Sequence, residues 1–202
     1  VQNNMANNSG GGLEFGQCEC TINLDNVDIL NNTAGSTGGG INSYNVNLVL
    51  NDVTIDGNRT LNGYPNAPQG GAGLHYNYTN GTPDSILISN STISNNIIEE
   101  TENGKGGGIF VELIHHLNLT NVDITGNHST FAGGGIYYDV GSYLTIDGGS
   151  VDNNTSDYLA GGLALFDVGV NTNITNVSIS GNTGEISAIS SNLSGTLNLE
   201  NV

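Results

Sequence analysis

Aliphatic and polar residues alternate in short runs that recur along the whole chain, most fully in Leu117-Asn118-Leu119-Thr120-Asn121-Val122-Asp123-Ile124-Thr125-Gly126-Asn127. A period of two predicts a strand with one buried face. Two polar residues instead of one separate the second aliphatic from the third, and this break in phase predicts a bend between two strands. In the same register the coils read Ile22-Leu24-Val27-Ile29-Asn32, Leu48-Leu50-Val53-Ile55-Asn58, Ile86-Ile88-Ser91-Ile93-Asn96, Leu117-Leu119-Val122-Ile124-Asn127, Leu144-Ile146-Gly149-Val151-Asn154 and Thr172-Ile174-Val177-Ile179-Asn182. A seventh starts at Leu197-Leu199-Val202.

Between these runs recurs a glycine step, Gly38-Gly39-Gly40-Ile41, with counterparts such as Gly106-Gly107-Gly108-Ile109 and Gly133-Gly134-Gly135-Ile136. Its repetition in every coil, with no lysine and no helix after it, excludes a phosphate-cradling loop. The aliphatic after each step starts a third short strand. Three strands and three turns in roughly 26 to 38 residues predict an all-β chain, a parallel β-helix of about six to seven coils that bury their inner faces by stacking. At about 4.8 Å per coil the rod is on the order of 30 Å long. The closing asparagines, Asn32, Asn58, Asn96, Asn127, Asn154 and Asn182, predict an internal ladder at one corner, where asparagine tolerates left-handed backbone and bonds the turns above and below. The usual gap from corner asparagine to post-glycine aliphatic is nine residues, but Asn58 to Leu74 takes sixteen and Asn96 to Ile109 thirteen. A further insertion runs from His75 to Ser85. The loops Arg59 to Gly70, His75 to Ser85 and Ile97 to Lys105 form the expected variable face.

Charge narrows the partners. Two Lys+Arg against 19 Asp+Glu give a formal charge of -17, which removes the phosphate neutralisation that nucleic-acid binding needs and repels anionic membranes. No apolar run is long enough to span a bilayer as a helix. The two cations, Arg59 and Lys105, fall in the enlarged loops of adjacent coils, and with Tyr64, Tyr76 and Tyr78 they make the candidate binding face. Glu99, Glu100 and Glu102 share the second of those loops, so surface ion pairs are the simpler expectation for the cations. Asp52, Asp56, Asp123 and Asp147 recur singly and read as solvated surface rather than as paired carboxylates. His115 and His116, as strand neighbours, are expected to point to opposite faces and not to chelate together. No cofactor is implied. Oxygen-rich turns and the acidic balance leave calcium as a candidate cation, although the calcium-binding β-roll nonapeptide is missing. Cys18 and Cys20 read first as reduced thiols, with a strained bridge or a link to another chain as alternatives.

Thirteen asparagines precede x-Ser/Thr, an excess over chance that alternating strands partly generate by themselves. Asn7, Asn31, Asn77, Asn80, Asn153 and Asn192 are the candidate glycosylation sites.

The Gly-Gly-Gly-Ile step followed by Ile/Val-x-x-Asn resembles the paired repeats of the chlamydial polymorphic outer-membrane proteins and similar autotransporter-like surface adhesins. The resemblance runs from Gly10 to Asn182, with Ile29, Ile55, Ile93, Ile124, Val151 and Ile179 standing where those proteins favour Phe. It implies a right-handed β-helix at the cell surface or outside the cell, acting as adhesin, stalk or filament subunit rather than as an enzyme. Residues 1–202 then form one solenoid domain with uncapped ends, either cut from a longer chain or stacking end to end. Expected partners are a second copy, a ligand on a host or neighbouring cell, or glycans. A carbohydrate-active β-helix and a non-catalytic glycan-binding module are the alternatives.

Overall fold

The computed structural model describes residues 1–16, 18, 20–61, 70–77, 85–99, 103–168 and 171–202. Among them every regular element is a strand, and every strand pair is parallel. Each turn of the chain contributes once to each of three sheets. A short sheet stacks two-residue strands such as Thr33–Ala34, Arg59–Thr60 and Ile97–Ile98. A middle sheet stacks four-residue strands after the glycine steps, including Ile41–Tyr44, Leu74–Asn77, Ile109–Glu112 and Ile136–Asp139. A long sheet stacks ten-residue strands, among them Asn47–Asp56, Ser85–Ser94 and His116–Thr125. Among the described residues no helix is long and apolar enough to cross a membrane.

The parallel β-helix is therefore the fold, although each coil is divided differently from the expectation. Except in one coil, where Asn171–Thr175 and Ser178–Ser180 are distinct, the two aliphatic pairs do not form separate strands. They lie on one ten-residue strand bent at a single residue, Asn26, Asp52, Asn90 or Asn121, each with φ near +50°. Strand pairing skips Asn121 and resumes at Val122, so the bend leaves the register intact. Asn and Asp reach this left-handed region at low cost because their short polar side chains bond locally. The third strand of each coil is the two-residue strand that follows the corner asparagine.

Register places like on like. Leu48, Ile86, Leu117 and Leu144 share one inward row, and Ile55, Ile93, Ile124 and Val151 another, all at most 1% exposed. Fully burying such a side chain stabilises by about 1.5–3 kcal/mol, and here each does so only because the coil above and below supplies the other wall.

The asparagine ladder is present and longer than expected. Each rung accepts, at its Oδ1, both the backbone N–H and the side-chain N–H of the rung before it. Asn96 donates in this way to Asn127 at 3.0 and 2.9 Å, and Asn127 to Asn154 at 3.0 and 3.0 Å. The same Nδ2 also donates to the carbonyl of the aliphatic three residues before the preceding rung, as Asn127 does to Ile93 at 2.9 Å. That second bond is the reason for the Ile-x-x-Asn spacing. Asn4 donates to Asn32 and adds a seventh rung. The rungs themselves are not the left-handed residues. Those are the residues just before them, Asn31, Gly57, Asn95, Gly126, Asn153 and Gly181.

Cys18 and Cys20 form a disulfide, which displaces the reduced reading. They lie between the strands Leu13–Gly16 and Thr21–Leu30 rather than on one, so the chain can turn, and their Cα atoms stand 5.1 Å apart, within the range a disulfide spans.

Candidate functional site

The outward row of the middle sheet runs Asn42, His75, Phe110, Tyr137, Ala164 from coil to coil. Residues facing away from a solenoid's interior are normally wet, yet these are 0–7% exposed. The cause is a fold-back at the left-handed glycines Gly38, Gly71, Gly106 and Gly133, with φ of +59° to +64°. It lays a second row of paired residues, Thr37, Gly70, Lys105 and Ala132, beside the sheet. A furrow results, with Phe110 packed so closely on Gly70 that a Cβ there would collide with its ring.

Aromatic rings climb this furrow. Centroid separations are 5.1 Å for His75–Phe110, 5.4 Å for Phe110–Tyr137 and 5.5 Å for Tyr137–Phe166. The Lys105 ammonium lies 4.8 Å from the Tyr137 ring centre and 5.8 Å from that of Phe110, a cation–π seat. On the rim Tyr158, 50% exposed, stacks on Phe131 at 5.6 Å.

The polar groups of the furrow are unevenly satisfied. His75 Nδ1 lies 2.7 Å from Asn42 Oδ1. That oxygen can only accept, so Nδ1 carries the proton and Nε2 presents a bare lone pair, which is buried and has no partner among the described residues. Desolvation lowers the His75 pKa from 6.5 to about 4, so the ring is neutral and too weak a base for proton abstraction near neutrality. Asn77 donates to Glu112 at 2.8 Å, while its own Oδ1 is buried without a partner among the described residues. Burial raises the Glu112 pKa, Lys105 opposes that rise, and Asp139 adds to it. Burial also pushes the Tyr137 hydroxyl well above its ordinary range.

A pH dependence follows from His75. Unfolded, it takes a proton near pH 6.5; folded, it does so only near 4. Between those values the unfolded state binds more protons, so stability falls as pH drops through the window. Urea midpoints measured from neutrality down to about pH 4 should fall less steeply for His75→Phe than for the unmodified protein. Parallel slopes would contradict the assignment.

The expected binding face is taken apart by the fold. Tyr76 is fully buried and donates its hydroxyl to the Val46 carbonyl at 3.1 Å, because it stands two residues after Leu74 on the inward side of the same strand. Tyr64, Tyr78 and the glycosylation candidate Asn80 lie outside the described residues. Arg59 and Lys105 occupy different rows, one on the short sheet and one on the furrow wall. Arg59 pairs with Glu99 across one coil at 2.6 Å, with side chains 50% and 34% exposed. Exposed pairs of this kind contribute little, so Arg59→Ala is expected to change unfolding free energy by less than about 1 kcal/mol in a denaturant titration.

His115 and His116 also depart from expectation. His115 sits in the bend before the strand His116–Thr125, so the two rings meet at 4.3 Å instead of pointing apart, and Tyr143 stacks on His116 at 4.6 Å. Burial and the neighbouring His115 lower the His116 pKa. Among the described residues no group of three or more His, Cys, Asp or Glu side chains is gathered for a metal. The carboxylates of Asp56, Asp123 and Asp147 accept hydrogen bonds from serines, threonines or asparagines of the following coil, such as Ser94, Ser150 and Thr175.

No family model, curated protein or solved structure matches the chain. The likeness to the polymorphic outer-membrane proteins rests on the repeat motifs alone. Two features of the site escaped the sequence. The furrow has no periodic signature, because an alternating pattern marks Phe110 and Tyr137 as outward and outward normally means exposed. Asn4 did have a signal, the spacing Val1-x-x-Asn4, which matches the later rungs.

Proposed function

We propose that the chain is the rod of an extracellular, surface-displayed protein, an adhesin or stalk, and that it performs no catalysis. The observation that carries this reading is the unbroken ladder. Successive rungs are separated by 26, 38, 31, 27 and 28 residues, yet each makes the same bonds to the next. Coil length varies while the described strands keep one register, which is how a scaffold carries variable contact loops. The Cys18–Cys20 bridge supports an oxidising compartment. A formal charge of -17 with two cations argues against acidic polysaccharide as a bound substrate. The neutral, desolvated His75 gives the furrow no base for lyase chemistry.

The test has two arms. The purified chain is incubated with a panel of acidic and neutral polysaccharides, and release of reducing ends or of an unsaturated product would replace this reading with an enzymatic one. Light scattering across a concentration series then separates a monomeric stalk from end-to-end growth, since only the latter lengthens with concentration.

Glycan contact is a second reading, favoured by the exposed Tyr158 stacked on Phe131, whose neighbour Ala132 pairs with Lys105. Sugar rings dock on such faces because their C–H edges are apolar and their hydroxyls reach flanking polar groups. Tyr158→Ala should abolish retention on a glycan array; unchanged retention by a variant that remains folded would refute this contact.

A further inference from the structure

The thirteen Asn-x-Ser/Thr sites are not equivalent in the fold. Asn58, Asn127 and Asn154 are ladder rungs with no exposure, and both N–H bonds of each side-chain amide are already used. A sugar on any of them would break the ladder and open the core. Asn77 spends its Nδ2 on Glu112, Asn90 on Asn51, and Asn176 on Asp147.

Asn31 and Asn153 differ from all of these. Both are exposed, both hold left-handed backbone with φ of 54° and 56°, and each precedes a ladder rung at the same corner. Their side-chain oxygens are seated on the glycine of the next coil. A Cβ added to Gly57 would lie 2.5 Å from Asn31 Oδ1, and one added to Gly181 would collide with Asn153 Oδ1. With the oxygen turned against the coil, the amide nitrogen on the other branch faces away from it, and it makes no hydrogen bond to a described residue. Asn95 has the same φ, 52°, and the same seat on Gly126. It lacks the hydroxyl two residues on, because Ile97 stands where Thr33 and Thr155 stand in the other two coils, and its Nδ2, unlike those of Asn31 and Asn153, donates to Asp56 Oδ1 at 2.8 Å.

We propose that Asn31 and Asn153 each carry an N-linked glycan, an inference that rests on the extracellular placement above. The donor is an oligosaccharide linked to a lipid through pyrophosphate. The amide Nδ2 forms the bond to the anomeric carbon, the lipid pyrophosphate leaves with the bonding pair, and the amide loses one proton to a base of the transferase. Both sugars then project from one edge of the rod and leave the furrow and the long sheet uncovered.

Native protein is digested and its sugars are released enzymatically in heavy-oxygen water, so that each occupied asparagine becomes a labelled aspartate. Label is expected at Asn31 and Asn153 and not at Asn58, Asn127 or Asn154. Secreted protein with neither Asn31 nor Asn153 labelled overturns the proposal and leaves the extracellular reading intact, whereas native protein found only in the cytosol overturns both. Ile97→Thr, expressed through a secretory route, tests the corner geometry directly. It restores a residue type that the fold already holds at that row but leaves the Asn95 amide engaged by Asp56, so Asn95 is expected to stay bare in this variant and to gain one glycan when Asp56→Ala is added to free the amide. A folded, secreted chain carrying both Ile97→Thr and Asp56→Ala whose Asn95 stays bare would remove the corner as the determinant, and a glycan at Asn95 in the single variant would remove the free amide.

Discussion

Asn127→Ala is expected to lower the unfolding free energy by about 4 kcal/mol, from four hydrogen bonds at about 1 kcal/mol each. The truncated side chain gives up its donations to Ile93 and Asn154 and its acceptance from the backbone and the amide of Asn96. All of these groups are buried, so water does not replace them. For a chain of this size the midpoint of thermal unfolding should fall by roughly 10 °C, measured by circular dichroism. Asn182→Ala makes the control. That rung is only partly buried and donates to no further rung among the described residues, so a loss of about 2 kcal/mol is expected there. Equal losses at the two positions would mean that the ladder contributes no more than its individual bonds to solvent-accessible partners would.

Gly107→Ala should cost about 3 kcal/mol by overpacking, at the upper end for added methyl groups. A Cβ at this position meets the carbonyl oxygens of His128 and Gly134, both backbone atoms of the next coil. Neither can move without disturbing the strand stacked on it. A substitution that kept the wild-type denaturation midpoint would show that the coils separate more easily than the register implies. Gly107 itself is not a left-handed residue, whereas Gly106 is, so the two adjacent glycines serve different ends. One turns the chain and the other lets two coils approach.

This division of labour shows why part of the fold was legible and part was not. Alternation and spacing are local. The period of two along Leu117 to Ile124 specifies which side chains go inward, and the Ile-x-x-Asn interval encodes a bond between coils in a distance along one coil. Tyr76 is legible by the same rule, since Leu74 and Tyr76 share parity, but it opens an insertion, and an insertion reads as surface. The bend at Asn121 reads as a break between strands because phase alone does not distinguish a single left-handed residue from a turn. Thr33–Ala34 is too short to show any period. The furrow belongs to a different class of fact. Phe110 is buried because Gly70, forty residues away along the chain, comes to lie against it after the fold-back at Gly71, and no pattern within one coil encodes that approach.

The amides of the ladder also have a direction. In every rung from Asn4 to Asn154 the nitrogen points towards the following coil and the oxygen towards the preceding one. Aligned dipoles of this kind polarise one another, so the column is electrically a vector along the axis of the rod rather than a set of symmetrical clips. Its two termini are chemically complementary. Asn4 offers an oxygen, and Asn182 offers N–H groups. Any coil set beyond Asn182 must therefore bring an acceptor in the right place, and any coil set before Asn4 must bring donors. A coil introduced upside down would meet like with like at both of them, so extension of the rod, natural or engineered, has one permitted sense.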